Sequence, residues 1–204
     1  MKTIDELLTI KHREIDRSKA QGAMAPWYRK IIMPSQSKMD AARKAGVLLH
    51  VFNGGDGLEV LYMRRPAYEG THGGQVSFPG GKHEPGDKDF LQTALREAEE
   101  EVGLKATNVQ VLRSLSPLYI PPSNFLVHPY LSYANHRPEL VLDPKEVEHV
   151  FSIPVEALLS DELVGKTKVK TKMGTMTVPA YHWNGEIIWG ATAMITAELT
   201  MLLS

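Results

Sequence analysis

The chain has 204 residues, a formal net charge of −1 and 43% hydrophobic residues, the composition of an ordinary globular domain. The balanced charge argues against a nucleic-acid-binding protein and against one held on an anionic membrane. The chain contains no cysteine, so disulfides, thiolate metal sites and cysteine nucleophiles are excluded.

Targeting signals are not evident in the sequence. No apolar run approaches the ~20 residues that a membrane-spanning helix requires. The first segment, MKTIDELLTIKHREID, mixes charged and apolar residues and lacks the apolar centre of a signal peptide. We therefore expect a cytoplasmic protein with no membrane partner.

The first half of the chain predicts helices around a β-hairpin. Apolar spacing predicts a helix over residues 3–20 and a short helix over Met39–Lys44. Residues 46–52 and 58–63 flank an Asn-Gly-rich turn, which predicts a hairpin. An amphipathic helix follows over Lys88–Val102, with Asp87 as its N-cap and Gly103 as its C-cap.

The second half predicts more strands and a terminal helix. The expected elements are strands at 109–112 and 126–131, a proline-fixed loop at 119–124, a polar stretch at 146–149, a helix at 155–163, a strand pair over 164–179 turning at Met173-Gly174, a strand at 187–189 and an amphipathic helix at 192–203. This order predicts a single α/β domain with a mixed sheet over residues 45–204, preceded by a helical extension of residues 1–44.

The predicted helix at 88–102 carries an unusual concentration of carboxylates. On a helical wheel, Glu97 and Glu101 share one margin of the apolar stripe, Glu100 lies about 60° further round beside Arg96, and Glu99 lies on the other margin. Carboxylates that border a buried face repel one another unless they are protonated or bridged by a cation, and oxygen ligands suit Mg²⁺ or Mn²⁺. The alternative is a solvated acidic face, which is what most charge runs form.

The segment before this helix favours the metal site over the solvated face. It reads Phe-Pro-Gly-Gly-Lys-His-Glu-Pro-Gly-Asp over residues 78–87. Paired glycines let the backbone approach a metal or a phosphate closely and can expose a carbonyl as a ligand.

Together the two segments resemble the Nudix hydrolases, whose box reads G-x5-E-x7-R-E-U-x-E-E-x-G-U with U an apolar residue. Gly81 and the run from Arg96 to Leu104 fit every fixed position. Asp87 replaces the first glutamate, and one extra residue separates it from Arg96. The resemblance implies a Nudix-type α/β/α sandwich with a mixed sheet, and metal-dependent cleavage by water of a diphosphate joined to another moiety.

The resemblance also implies roles for the box residues. Glu97 and Glu101 would be the principal metal ligands, Glu100 a further ligand or the base for water, and the Gly81 carbonyl a further ligand. Arg96 would hold Glu100 through an i,i+4 pair.

A second motif resembles the coenzyme A diphosphatases, in which L-L-T-x-R-S-x3-R-x3-G-x3-F-P-G-G precedes the box. Leu61, Arg65, Gly74 and residues 78–81 match, whereas Gly70 stands where the family has a basic residue. Residues 117–125 and 188–193 also resemble that subfamily. The resemblance implies coenzyme A or a derivative as the small-molecule substrate, cut into (acyl-)phosphopantetheine and 3′,5′-ADP.

Several side chains are candidates for substrate contact. For each of them a simpler role is the alternative: a surface cation for the basic residues, and loop hydrogen bonding or bracing for the others. The candidates are Arg64, Arg65, His72, Lys82, Tyr119 and Asn124.

Glu146 and Glu148 are expected on a solvated surface, and the alternative is that one of them supplies an additional carboxylate to the metal site. The N-terminal helix predicts either a subunit interface in a homodimer or a cap on the domain's own core. Rival functions are hydrolysis of an ADP-sugar or a dinucleotide, and a non-catalytic ligand-binding module.

Overall fold

A computed structural model describes residues 2–30, 34–67, 73–171 and 174–204, with the side chains of Tyr28, Lys30 and Thr171 left out. Its helices are α1 (Ile4–Thr9), α2 (Arg17–Ala23), α3 (Gln36–Asp40), α4 (Phe90–Val102), α5 (Val155–Leu159) and α6 (Gly190–Leu203). Its strands are β1 (Arg43–Asn53), β2 (Leu58–Arg64), β3 (Val76–Ser77), β4 (Gly80–Lys82), β5 (Gln110–Ser114), β6 (Leu118–Ile120), β7 (Phe125–Ala134), β8 (His149–Pro154), β9 (Val164–Thr171), β10 (Gly174–Trp183) and β11 (Glu186–Trp189).

The main sheet is mixed, as the sequence predicted. Its strands follow the order β3-β2-β1-β7-β5, while β4 pairs with β1, β6 with β7 and β8 with β2. The long β1–β7 pair is parallel and the other pairs are antiparallel. Strands β11, β10 and β9 form a smaller antiparallel sheet.

Helices cover both faces of the main sheet, because neighbouring residues of a strand point to opposite sides. Leu48 of β1 packs with Ala94, Ala98 and Val102 of α4. The next residue, Leu49, belongs to the larger core cluster, which includes most of the apolar side chains of α6. This layering confirms the expected α/β sandwich and fixes α4 against the centre of the sheet.

The N-terminal segment differs from its prediction. Instead of one helix over residues 3–20, α1 continues into a 3₁₀ turn at Ile10–His12, and α2 begins after Asp16 caps it. Arg13 has extended backbone, which ends the first helical segment. Leu7 and Ile10 pack in the main core cluster. The domain boundary at residue 44 stays a prediction, although β1 already begins at Arg43.

Two other helix predictions need correction. The helix expected at Met39–Lys44 lies earlier, at Gln36–Asp40, and Arg43 and Lys44 belong to β1. The helix expected at 155–163 ends at Leu159 and is followed by a 3₁₀ turn at Asp161–Leu163.

The predicted hairpin is present, with Val51 opposite Val60. The strands expected at 109–112, 126–131 and 187–189 are present as β5, β7 and β11, with bounds that differ by up to three residues. The expected turn residue Met173 lies outside the described residues. Strands β9 and β10, which precede and follow it in the chain, pair with each other as predicted.

Strand β8 was not predicted, and the helix α6 is not amphipathic. All six residues of β8, 149–154, pair with residues 59–64 of β2. Helix α6 is buried on nearly all sides, including the polar side chains of Thr192, Thr196 and Glu198. In the described part of the chain, no helix is long and apolar enough to span a membrane.

Candidate active site

Helix α4 carries the acidic run, and its ends are fixed by local side chains and backbone. Asp89 is the N-cap, because its carboxylate accepts a hydrogen bond from the Gln92 amide at 2.8 Å. The prediction that Asp87 caps the helix is therefore wrong, and the helix begins at Phe90. Gly103 ends it with φ 71°, as predicted, in the left-handed region that favours glycine.

Glu101 is the buried carboxylate of the site, with a side chain only 2% exposed. Its Oε1 accepts from Arg65 Nη2 at 2.7 Å, and its Oε2 accepts from the Gly80 amide at 2.7 Å. Burial raises the pKa of Glu101 to about 7, a rise that the charge of Glu97 adds to and that Arg65 and the Gly80 amide oppose.

Glu97 lies one helical turn before Glu101, and its carboxylate packs against Gly81, the residue after Gly80. A Cβ built on Gly81 would lie 2.3 Å from Glu97 Oε2, so only glycine leaves room for this carboxylate. Burial raises the pKa of Glu97, Arg96 opposes that rise, and the charges of Glu100 and Glu146 add to it. The carboxylates of Glu97 and Glu101 therefore share one margin of the helix, as the helical wheel predicted, and converge on the Gly80–Gly81 backbone.

Arg96 organises the outer side of the site. Its Nη1 lies 3.0 Å from Glu97 Oε1 and 2.9 Å from Glu100 Oε2, which confirms the predicted i,i+4 contact. Its Nε and Nη2 donate to the two Asp87 oxygens at 3.0 and 3.1 Å. Asp87 therefore anchors the arginine that holds two glutamates, a role different from the helix cap expected for it.

The Asp87–Arg96 pair gives a test of stability. Hydrogen bonds from Arg96 hold the pKa of Asp87 below its ordinary value of 3.8. Asp87→Asn is expected to lower the free energy of unfolding by about 1.5–3 kcal/mol at pH 7, the cost of a lost hydrogen bond to a charged group. Because the folded pKa is the lower one, this contribution is complete above pH 3.8 and is lost as pH falls through the folded pKa.

Urea denaturation of wild type and Asp87→Asn, at pH 7 and at steps from pH 5 to pH 2, measures this contribution. The difference between the two proteins should narrow as the acid is protonated. A difference that stays constant down to pH 2 would show that the charge of Asp87 contributes nothing.

Glu146 lies beside this site, which favours for it the alternative of a carboxylate near the metal over the solvated surface that the sequence predicted first. Its side chain is 54% exposed, yet Glu146 Oε2 lies 3.8 Å from Arg65 Nη1. The loop that carries it is tied to α4, because the Asp143 amide donates to the Glu101 carbonyl at 2.9 Å. In the sequence, Glu146 is marked only as an acidic residue next to Val147, whose side chain is buried. That position does not reveal which residues lie near Glu146 in the folded chain.

The predicted substrate-contact residues are not gathered in one place. Arg65 faces the carboxylates, whereas Arg64 pairs with Glu186 at 2.7 Å and with Glu148 at 3.6 Å. Lys82 is exposed on β4, next to the glycine pair. His72 lies outside the described residues.

Tyr119 and the nearby Asn124 lie several strands away from the glycine pair along the sheet. Tyr119 Oη donates to Asn124 Oδ1 at 3.0 Å, and Asn124 has a positive φ of 52°. The loop predicted over 119–124 is shorter than expected, because Tyr119 and Ile120 belong to β6. The path from Gly81 crosses β4, β1, β7 and β6, a lateral distance of roughly 14 Å at the usual strand spacing. These two residues do not touch the carboxylate cluster.

The donor set fits a hard divalent cation. Among the described residues, no three His, Asp or Glu side chains form a ready metal cluster. Glu100 is 59% exposed and pairs with Arg96. Glu97 and Glu101 supply two carboxylates near the Gly80 carbonyl. The Gly81 carbonyl, predicted as a ligand, instead faces Gly46 in the β1–β4 strand pair. Mg²⁺ is commonly bound by one or two carboxylates, with water and substrate phosphates completing its shell, so this arrangement suffices.

Comparison with known proteins agrees with this geometry. The NUDIX domain profile matches residues 42–172. Nudix hydrolase 15, mitochondrial, of Arabidopsis thaliana is 38% identical over 161 residues, covering 75% of this chain and 56% of that protein. Mitochondrial coenzyme A diphosphatase NUDT8 of Homo sapiens is 36% identical over 149 residues, covering 71% of this chain and 63% of that protein. The chain thus spans less than two thirds of the length of these two relatives.

A bacterial relative and a solved structure extend the comparison. Uncharacterized Nudix hydrolase NudL of Photorhabdus laumondii is 38% identical over 140 residues, covering 69% of this chain and 74% of that protein. The crystal structure of a MutT/nudix family protein from Enterococcus faecalis covers all of this chain and 75% of its own, with a TM-score of 0.53 and 15% identity, a likeness in fold. By its domain match, its relatives and its fold, the chain belongs to the Nudix hydrolase family.

Proposed function

We propose that this chain hydrolyses the diphosphate linkage of coenzyme A or a coenzyme A derivative, with Mg²⁺ or Mn²⁺, giving (acyl-)phosphopantetheine and 3′,5′-ADP. The observation that carries the chemistry is the convergence of the Glu97 and Glu101 carboxylates on the Gly80–Gly81 backbone. The coenzyme A motif around Arg65 supports the substrate, as does the name of the human relative.

The chain's own residues have distinct tasks in this reaction. Glu97 and Glu101 would hold the cation, which neutralises diphosphate oxygens and makes bound water more acidic. Glu101 is fixed at both oxygens by Arg65 and the Gly80 amide. Such chemistry depends on positioning more than on a protein nucleophile.

Proton transfer falls to an exposed carboxylate. Glu100 is anchored through Oε2 by Arg96, so its Oε1 is the atom that would accept a proton from the attacking water. Glu146 is the alternative base, because it is exposed and lies on the same side as Arg65. The water oxygen bonds to phosphorus, the bridging P–O bond breaks, and the leaving phosphate keeps the electron pair.

The deciding experiment is product identification after incubation with coenzyme A and Mg²⁺ or Mn²⁺. Mass spectrometry should find phosphopantetheine and 3′,5′-ADP in equal amounts, and none after chelation of the metal. A panel with ADP-sugars and dinucleotides tests the rival substrates, which the glycine at position 70 keeps in contention. Turnover of the panel without turnover of coenzyme A would overturn the substrate, and no turnover of any compound would favour the binding module.

Metal binding to the substrate-free protein is expected to displace a proton below neutral pH. The pKa of Glu101 is about 7, so at pH 6 most of this carboxyl is protonated and a cation must replace the proton. Affinity for Mn²⁺ should therefore fall by up to ~10-fold per pH unit below 7 and level off above it. Calorimetry in two buffers with different heats of ionisation, at pH 6 and pH 8, counts the protons released. Equal affinity and no proton release at both values would contradict the assignment.

Cytoplasmic location and the homodimer remain predictions. The names of the Arabidopsis and human relatives place those proteins in mitochondria. Fractionation of cells that express the tagged natural protein, and light scattering of the purified chain, would test the two predictions separately.

A further inference from the structure

The guanidinium of Arg65 lies among the groups expected to surround the cation. Its Nη2 lies 2.7 Å from Glu101 Oε1 and 3.0 Å from the Gly80 carbonyl oxygen. Its Nη1 lies 3.8 Å from Glu146 Oε2. The side chain is 18% exposed, so most of it is covered by these groups and their surroundings. The sequence motif had suggested a phosphate contact for this residue.

Arg65, Glu101 and Gly80 form a closed set of hydrogen bonds. The Gly80 amide donates to Glu101 Oε2, while Arg65 donates to both Glu101 Oε1 and the Gly80 carbonyl. Each oxygen of Glu101 thus has its own donor, which fixes the rotation of the carboxylate. The two peptide groups on either side of the Gly80 Cα are therefore each held at one polar atom, the first at the Gly80 amide and the second at the Gly80 carbonyl.

This arrangement needs the planar fork of an arginine. A guanidinium presents several donors in a fixed plane, whereas a lysine ammonium is a compact charge on a flexible stem. The neighbouring Arg64 points to the other face of β2 and pairs with Glu186 and Glu148. The two adjacent arginines therefore have different partners, and one serves as a control for the other.

We propose that Arg65 is a positioning residue, which holds Glu101 and the Gly80–Gly81 backbone in the geometry that binds the divalent cation. The inference rests on the proposed metal-dependent function. It assigns Arg65 an action through Glu101 in place of contact with a substrate phosphate. No bond is made or broken at Arg65.

The test is Arg65→Lys, which keeps the positive charge and removes the fork. Mn²⁺ affinity of the substrate-free protein, measured by electron paramagnetic resonance, should weaken by about 10-fold or more, as is typical when the partner of a metal ligand is removed. The KM for coenzyme A at saturating metal should stay within twofold, while kcat falls. Thermal unfolding checks that the variant is folded.

Two comparisons make the test specific. Arg64→Lys, the same change at the adjacent residue, should leave Mn²⁺ affinity unaltered. In a Glu101→Gln background, Arg65→Lys should weaken Mn²⁺ binding no further, because the residue through which it acts is gone.

Other results would overturn the inference. Arg65→Lys with Mn²⁺ affinity within twofold of wild type would do so, and a tenfold rise in KM at unchanged affinity would restore the phosphate contact. If wild type binds no Mn²⁺, the inference fails together with the proposed metal dependence. If wild type binds Mn²⁺ but leaves coenzyme A intact, the substrate assignment fails alone, and the affinity comparison still decides the role of Arg65.

Discussion

Glu101→Gln is expected to lower kcat for diphosphate hydrolysis by roughly 10³-fold or more while the protein stays folded, a loss of about 4 kcal/mol of transition-state stabilisation. The change removes a charge from the most buried carboxylate of the site, whose side chain is 2% exposed. A neutral amide oxygen binds a hard cation more weakly than a carboxylate does. Steady-state kinetics with direct measurement of Mn²⁺ affinity should show both losses together.

The fold should survive this change because the replacement keeps the shape of the side chain. The amide oxygen can still accept from the Gly80 amide, while the new NH₂ group faces the donors of Arg65. One such mismatch costs about 1–2 kcal/mol, which lowers the melting temperature of a chain of this size by about 2–8 °C.

Glu99→Gln is the matched control for Glu101→Gln. Glu99 lies on the same helix, is exposed, and sits away from the glycine pair. Its kcat and Mn²⁺ affinity should stay within twofold of wild type. Unaltered turnover in Glu101→Gln, or an equal loss in Glu99→Gln, would count against the assigned site.

The acidic helix could be predicted from the sequence because its information is local. The periodicity of the apolar residues places Glu97 and Glu101 on one margin and Glu99 on another, and the structure keeps that division. The partner of Arg96 at Glu100 follows from the same 3.6-residue geometry.

The role of Asp87 could not be ranked by local rules. Asp87 and Asp89 are equally good N-cap residues, and both precede the apolar stripe. The structure gives the cap to Asp89 and turns Asp87 back towards Arg96. The box has one extra residue between Asp87 and Arg96. With that residue, Asp89 can cap the helix while Asp87 pairs with Arg96.

The missed contacts depend on strand order, which one sequence does not reveal. Arg65 follows the end of β2 and Glu146 precedes β8, and these strands are neighbours only because β8 returns beside β2. The contact of Glu146 with Arg65, which in turn contacts Glu101, is a property of that pairing. The prediction for helix α6 fails for another reason. The helix is buried on nearly all sides, so it lacks the solvent-exposed polar face of an amphipathic helix.

Gly81→Ala is expected to lower kcat/KM by roughly 10²-fold with little change in melting temperature. The new Cβ would lie 2.3 Å from Glu97 Oε2, so the carboxylate must move away from the glycine backbone. The group that it meets is the end of a side chain, which can shift without unfolding the strand. A displacement of about 1 Å at a catalytic group can cost that much in rate. Kinetics at saturating Mg²⁺, with Mn²⁺ affinity measured separately, checks the prediction.

Gly86→Ala is the control that separates the effect of replacing a glycine from the effect of the steric clash with Glu97 at position 81. Neither glycine has a positive φ, so alanine suits both backbones, and a Cβ on Gly86 would meet nothing within 4 Å. Its activity should stay within twofold of wild type. If Gly81→Ala binds Mn²⁺ and turns over as wild type does, then the carboxylate of Glu97 is free to leave Gly81 without cost. The site would then hold its cation by Glu101 and other groups, and the one-turn pairing of Glu97 with Glu101 would lose its function.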